Sequence, residues 1–243
     1  MSTQIFAHRG YSAKAMENSM TAFRLAKAIS VDGLELDVHL TKDGEVVVIH
    51  DETLDRTTTG CGWIYQHTYD ELSQFSLKTL PNETIPTLKD VLALFQDTTV
   101  KINIELKNHY DRYDGLLEKV IHIIEHYNME QQIIISSFYH PCLIELKHLR
   151  PNWDIALLID CVLYQPWKYA KDLGFSQLHL HYSAIDEALM IQARKHNVVV
   201  RTYTVNHEPE MKRLVLLGVD AIITNYPAKL RSVIEKQGNR MIQ

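Results

Sequence analysis

The chain is short of the residues that would place it outside the ordinary globular class. Its three cysteines, Cys61, Cys142 and Cys161, are too few and too far apart for a disulfide framework or a Cys-x-x-Cys pair, which suits a reducing compartment. With 9 glycines and 7 prolines in 243 residues, neither a collagen-like nor a low-complexity chain is present. No run approaches the ~18 apolar residues of a membrane span, and the opening MSTQIFAHRG has no apolar stretch fit for export. A cytoplasmic protein without stable membrane insertion is expected. Lysine and arginine (25) are outnumbered by aspartate and glutamate (30), which argues against a nucleic-acid partner, because phosphate-backbone binding needs a basic surface. What remains is 46% hydrophobic and 23% charged, enough for one sizeable core, and a single domain over 1–243 is the expectation. Composition carries no signal of oligomeric state.

Short β-branched runs alternate with segments of helical period. The runs are Ile5–Ala7, Leu34–Val38, Val46–Ile49, Lys101–Leu106, Gln132–Ser136, Ile155–Ile159, Gln177–Leu180, Val198–Tyr203 and Ala221–Thr224. Most are apolar almost throughout, as strands covered on both faces should be. Helices are expected over 19–29, 87–95, 112–127, 140–149, 167–172, 185–195, 208–217 and 227–236, the first capped by Asn18 or Ser19. Thr41-Lys42-Asp43-Gly44 marks a tight turn, so the third run returns as a hairpin and is not a parallel neighbour. Discounting it leaves eight strand–helix units, the number that closes a (β/α)8 TIM barrel. A polar stretch from 51 to 86 is too long for an ordinary loop and reads as a small insertion after the second barrel strand. A doubly wound sheet is the competing fold, but His8-Arg9-Gly10 after the first strand is not a dinucleotide fingerprint.

In a barrel, residues at the C-terminal strand ends converge on one mouth. Glu35 and Asp37 are two apart on one strand and share a face; Glu105 and Lys107 repeat that spacing one barrel strand later. Three carboxylates in a low-dielectric mouth repel one another unless a cation sits between them, and oxygen ligands suit a hard divalent ion, Mg²⁺ or Ca²⁺ with Mn²⁺ as a further option. Buried ion pairing with Arg9 or Lys107 is the plainer reading of the same residues. His8 and His50 also end strands, and histidine titrates near neutrality, so the pair could serve as acid and base; a hydrogen-bonded structural role is the alternative for each. Arg9 and Lys107 are natural clamps for phosphate oxygens. His39, His179 and His181 read as supporting, core or rim residues. Glu17 could buttress Arg9 or a histidine, and Asn18 reads as a helix cap. Thr57-Thr58-Thr59-Gly60 is a weak anion-turn signal.

These residues resemble the glycerophosphodiester phosphodiesterase family. The resemblance is carried by His8-Arg9-Gly10 with Glu17-Asn18-Ser19 and Ala22-Phe23, by Gly33 to Val38 with Thr41-Lys42-Asp43-Gly44, and by His50-Asp51, Leu54 and Arg56-Thr57-Thr58. Ile104-Glu105-Leu106-Lys107, Thr204-Val205-Asn206, Gly218-Val219-Asp220 and Ile223-Thr224 continue it to the last strand. It implies a metal-dependent barrel hydrolase that releases an alcohol and glycerol 3-phosphate from a small-molecule phosphodiester. It further implies Glu35, Asp37 and Glu105 as metal ligands, His8 and His50 as the acid–base pair, and Arg9 and Lys107 at the phosphate. Four positions depart from the family pattern: Met16 for a proline, Leu34 where Ala-Asp is common, Tyr203 for tryptophan, and Asn225 for the aspartate of a Thr-Asp-x-Pro motif. Asn225 could still cap the last helix, ahead of Pro227. The same residue set occurs in relatives acting on lysophospholipids, and a barrel that binds phosphoesters without cleaving them is a third reading.

Overall fold

Apolar β-branched runs pair into strands because both faces are covered, and the intervening segments become helices because each turns an apolar stripe to the sheet. The computed structural model describes residues 3–107 and 115–241. β1 (Gln4–His8) leads to α1 (Met20–Ala28), and β2 (Gly33–Leu40) turns back antiparallel into β3 (Val46–Val48). Thr41 makes that turn, donating to Asp43 and accepting from the Glu45 N–H at 2.9 Å. The following excursion folds into a 3₁₀ turn (Ile64–Gln66), α2 (Tyr69–Leu72) and a small hairpin of β4 (Ser76–Leu77) and β5 (Leu80–Thr84). After α3 (Leu88–Phe95) the alternation is regular: β6 (Lys101–Leu106), α4 (Leu116–Tyr127), β7 (Ile133–Ser137), α5 (His140–Leu149), β8 (Asp154–Ile159) and α6 (Pro166–Asp172). It ends with β9 (Gln177–His181), α7 (Glu187–Lys195), β10 (Val199–Tyr203), α8 (Glu208–Leu217), β11 (Ala221–Thr224) and α9 (Pro227–Met241).

Eight of these strands are parallel and closed in the order β1-β11-β10-β9-β8-β7-β6-β2, with β2 pairing back to β1 and β3 added outside the ring along β2. This is the (β/α)8 barrel. The main core lies between the outer strand faces and the helices: Leu34, Leu36 and Val38 of β2 meet Phe23, Val91 and Phe95 there, all fully buried. Inside the barrel a small apolar plug of Phe6, Ile134, Ala156, Ala221 and Ile223 closes the floor. Gly33 makes that plug possible, since a Cβ at this position would fall 2.3 Å from the Phe6 ring. The insertion has its own core, in which Leu54, Ile64, Leu72 and Leu77 pack on Val47 and Ile49 of the β3 region.

Four helix starts, those of α1, α2, α3 and α7, carry side-chain caps worth about 1 kcal/mol each. Ser19, not Asn18, caps α1 by accepting from the Ala22 N–H at 3.0 Å. Thr87 with Asp90 forms a reciprocal capping box on α3, and Asp186 caps α7. The expected helix over 112–127 is seen from Leu116 onward; 112–114 lie outside the described residues. The last helix runs on beyond the expected 236 to Met241. No helix among the described residues is long and apolar enough to cross a membrane.

Candidate active site

β2 and β6 lie side by side in parallel register, Asp37 opposite Glu105, so the inward faces of two adjacent strands present their carboxylates together. Glu35, Asp37 and Glu105 are buried and offer oxygens that all lie within 4.8 Å of one another. Two cations are set among them. Lys107 Nζ lies 2.6 Å from Glu105 and 3.2 Å from Asp37. Arg9 pairs with Asp37 through Nε at 3.3 Å, and its backbone N–H donates to Glu35 at 2.9 Å. Arg9 makes that last contact from the left-handed region, φ 54°, which residues other than glycine rarely adopt.

All three carboxyls are buried, and the neighbouring charges decide which of them keeps its proton. Burial, then the charges of Asp37 and Glu105, push Glu35 well above the usual carboxylate range. Burial also raises Glu105, with Lys107 opposing. Asp37 suffers the same burial, yet Lys107 and Arg9 outweigh it and hold the carboxyl far below its ordinary value. Lys107 is raised in turn, because Asp37 and Glu105 more than offset its own burial. The buried Asn103 Oδ1 and Asn18 Oδ1 accept no hydrogen bond, and Asp37 Oδ1 has only its ion pair with Lys107. An all-oxygen donor set with unused buried acceptors fits a hard divalent cation. With such a cation and a singly charged phosphodiester present, three carboxylates and two basic side chains sum to neutrality.

His8 ends β1 beside this cluster, its Nε2 3.9 Å from Glu35. Its Nδ1 lies 2.6 Å from the carboxamide oxygen of Asn225, an acceptor, so the ring proton sits on Nδ1 and Nε2 is free to accept. The Thr204 hydroxyl is 3.4 Å from that Nε2. Burial, then Arg9, lowers His8 to about 4. His50 stands just past β3, a third exposed, with Nδ1 donating to Asp51 at 2.7 Å. Arg56 holds Asp51 through Nε at 2.6 Å and keeps its carboxyl at about 2. The same guanidinium reaches Glu17 at 2.6 Å, and Glu17 accepts from Arg9 at 2.8 Å. A continuous charged chain therefore runs from His50 through the insertion to Arg9 and Asp37. A narrow cleft lined by His8, Glu35, Glu105, Asn103, Leu158, Tyr203 and Ile223 opens beside the cluster.

All seven expected residues thus gather at one mouth, and the structure adds others. Asn18 is no cap: it is buried in the left-handed region, φ 55°, and its Nδ2 donates to Asp37 at 2.9 Å. Asn225 turns its oxygen to His8, a partner that no local sequence signal reveals across 217 residues. Arg56, which the sequence offers only as part of the resemblance, bridges Asp51 and Glu17. His39 supports the His50 turn, its Nε2 3.1 Å from the His50 carbonyl, and burial lowers it to about 4. His179 lies in the barrel floor beside Arg201, whereas His181 sits at the rim, its Nδ1 2.8 Å from the Ser183 hydroxyl. The Thr57–Gly60 turn is structural: the Thr58 hydroxyl donates to the Leu54 carbonyl and accepts from the Gly60 N–H.

The pattern of the Glycerophosphoryl diester phosphodiesterase family matches residues 8–229. A glycerophosphodiester phosphodiesterase of Caldanaerobacter subterraneus subsp. tengcongensis is 40% identical, the match covering 98% of this chain and 100% of that protein. One of Bacillus altitudinis is 39% identical over 96% of this chain and 99% of that protein. Among solved structures, an Oleispira antarctica phosphodiesterase in complex with the product sn-glycerol-3-phosphate superposes with a TM-score of 0.85 at 29% identity, covering 96% of this chain and 97% of that one.

Proposed function

The chain belongs to the glycerophosphoryl diester phosphodiesterase family, and from that premise we propose that it hydrolyses small glycerophosphodiesters with His8 and His50 as its acid–base pair. The observation that carries this reading is the placement of two differently held histidines around one buried carboxylate cluster. Glu35, Asp37 and Glu105 hold one divalent cation, Mg²⁺ or Ca²⁺ with Mn²⁺ also suited. When bound, that ion supplies electrophilic stabilisation of the phosphoryl oxygens.

The chain's own groups do the rest. Arg9 and Lys107 stand at the cluster as the positive charges toward which non-bridging phosphate oxygens turn, while each also holds a carboxylate in place. His8 is neutral at physiological pH with Nε2 unprotonated, so it is the group ready to take a proton from the attacking hydroxyl. His50 is oriented by its Nδ1 contact with Asp51, which leaves Nε2 for the departing alkoxide, and it is the group we assign to protonate that oxygen. Tyr203 closes the cleft from β10, its hydroxyl donating to the Ile159 carbonyl at 3.0 Å.

We take residues 1–243 as one catalytic domain, with 51–86 as an insertion that supplies Asp51 and Arg56 to the mouth. Two of the chain's three cysteines, Cys61 and Cys161, are exposed and none is in a disulfide, which is the pattern of a reducing interior and underlies our assignment to the cytoplasm. The test is a substrate panel with added Mg²⁺, Ca²⁺ or Mn²⁺: glycerophosphocholine, glycerophosphoethanolamine, a lysophospholipid and glycerol phosphate. Cleavage of the first two with release of glycerol 3-phosphate is expected. Preference for the lysophospholipid would replace the reading with a lipid-directed one, and silence on all four would leave a binding protein.

A further inference from the structure

Arg56 lies outside the cleft, on the insertion five residues beyond Asp51, and its side chain is about half-exposed. Its guanidinium grips Asp51 with two donors, Nε on Oδ2 at 2.6 Å and Nη2 on Oδ1 at 3.0 Å. A two-point hold of this kind fixes the plane of a carboxylate, which a single contact does not. Asp51 Oδ1 is also the atom that accepts from His50 Nδ1 at 2.7 Å, so the plane imposed by Arg56 is the one on which the imidazole rests. Nη2 donates in addition to Glu17 Oε1 at 2.6 Å, and the same oxygen accepts from Arg9 Nη1 at 2.8 Å. Arg56 therefore stands between two groups of the mouth, His50 by way of Asp51 and Arg9 by way of Glu17. Arg9 has a further hold on Asp37 at 3.3 Å, whereas the His50 ring leans on Asp51, so the loss of Arg56 falls first on His50.

The insertion does not depend on Arg56 to stay in place. Leu54, Ile64, Leu72 and Leu77 pack it onto Val47 and Ile49, and the Glu83 carboxylate of β5 accepts from the Thr21 N–H at the start of α1 at 3.2 Å. A fork of donors at this position thus has a use other than anchorage. Lysine would bring the charge as a single point and could not hold both oxygens of Asp51 and reach Glu17 as well.

Resting on the phosphodiesterase reading of the mouth, we propose that Arg56 is a positioning residue for the reaction: it fixes Asp51 so that the His50 ring presents Nε2 to the departing alkoxide, and through Glu17 it keeps that ring in register with Arg9 at the phosphate. Arg56 touches no reacting atom. Its loss leaves the carboxylate cluster and substrate binding in place and slows the step in which the leaving oxygen takes its proton from His50.

The experiment measures kcat and KM of Arg56→Ala and Arg56→Lys on glycerophosphocholine and on a glycerol p-nitrophenyl phosphodiester, with metal content matched to the parent protein. In Arg56→Ala, kcat for the choline ester should fall ~10-fold to 100-fold with KM within about threefold, while the ester of the good leaving group loses less than about threefold. Arg56→Lys should show the same split between the two esters, and it carries the comparison if the alanine variant does not fold. Methylguanidinium at millimolar concentration should restore part of the choline-ester rate in Arg56→Ala and leave the parent unaffected. Equal losses on the two esters would make Arg56 an anchor of the fold and overturn the proposal, and so would no loss on either, the phosphodiesterase reading standing in both cases. Should the parent protein cleave neither ester, that reading fails by itself, and Arg56 is judged from the ¹⁵N shifts of the His50 ring near pH 8, where an ordinary imidazole is neutral. A single Nδ1-protonated form in the parent that becomes a mixture of tautomers in the variant would uphold the positioning role; identical shifts in the two proteins would end it.

Discussion

The two flanks of the mouth hold their histidines in contrasting ways. On the β1 and β11 flank, His8 is buried against a neutral partner, Asn225, and has no carboxylate on its Nδ1. On the β3 and insertion flank, His50 is a third exposed and is anchored to Asp51, itself part of a chain of charges through Arg56 and Glu17. Burial and the Arg9 charge keep the His8 imidazole unprotonated, against the opposing effect of its hydrogen bond to Asn225, whereas the Asp51 carboxylate accepts from His50 Nδ1 and fixes that ring's orientation. Under the proposed function the two chemically identical side chains move protons in opposite directions, and each prediction below either breaks that contrast or sharpens it.

The largest effect removes what both flanks serve. Chelation should abolish diester hydrolysis, and Mg²⁺, Mn²⁺ or Ca²⁺ should restore it; full turnover with no metal found by elemental analysis would show that the carboxylate cluster is only an ion-pair network. Next come the histidines. His8→Ala and His50→Ala should each lower kcat by a factor of ~10² to 10⁴, and the double variant by little more than the worse single one. On a p-nitrophenyl diester, whose leaving group needs no acid, His50→Ala should regain most of its activity and His8→Ala should not. The reverse pattern would exchange the two roles, provided metal content is equal in both variants.

Asn18→Ala should weaken metal binding by ~10-fold to 100-fold, the usual cost of losing a partner that orients a ligand, with kcat at saturating metal changed less. A kcat loss with unaltered metal affinity would mean that Asn18 acts elsewhere. The smallest effect concerns the clamps themselves. His8 is held at about 4 while an unfolded imidazole titrates near 6.5, so in chelated protein its contribution is fully present above that higher value. It is lost as pH falls toward 4, by about 3 kcal/mol for this group alone. Asn225→Asp puts a carboxylate on Nδ1, raises the folded-state value and narrows that window. Urea unfolding at pH 7 and 4.5 should show a smaller acid loss in the variant; an equal or larger loss would remove Asn225 from the control of His8.

How much of this was readable beforehand depends on the distance over which each relation acts. Glu35 with Asp37 and Glu105 with Lys107 are i, i+2 pairs, and strand alternation alone places each pair on one face. Parallel pairing of β2 with β6 then set Asp37 against Glu105, a step that the eight-unit count anticipated. Asn18 was misread as a cap because its neighbour Ser19 does that work, and a left-handed backbone turned the amide inward instead. The insertion was legible as an excess of chain and not as a fold, since its hydrophobic residues complete a core only on Val47 and Ile49.

By itself the sequence determined the strand and helix alternation, the closed eight-fold barrel and the identity of the acidic and basic groups at the strand ends, because hydrophobic period and capping chemistry act within a few residues. Only the tertiary structure decided which neutral or charged partner each histidine meets, that Arg56 ties the insertion to Arg9 through Glu17, and that Tyr203 lines the cleft beside His8. Those relations join residues far apart in the chain, and they exist only once ring closure brings β1 beside β11 and the insertion back over the mouth.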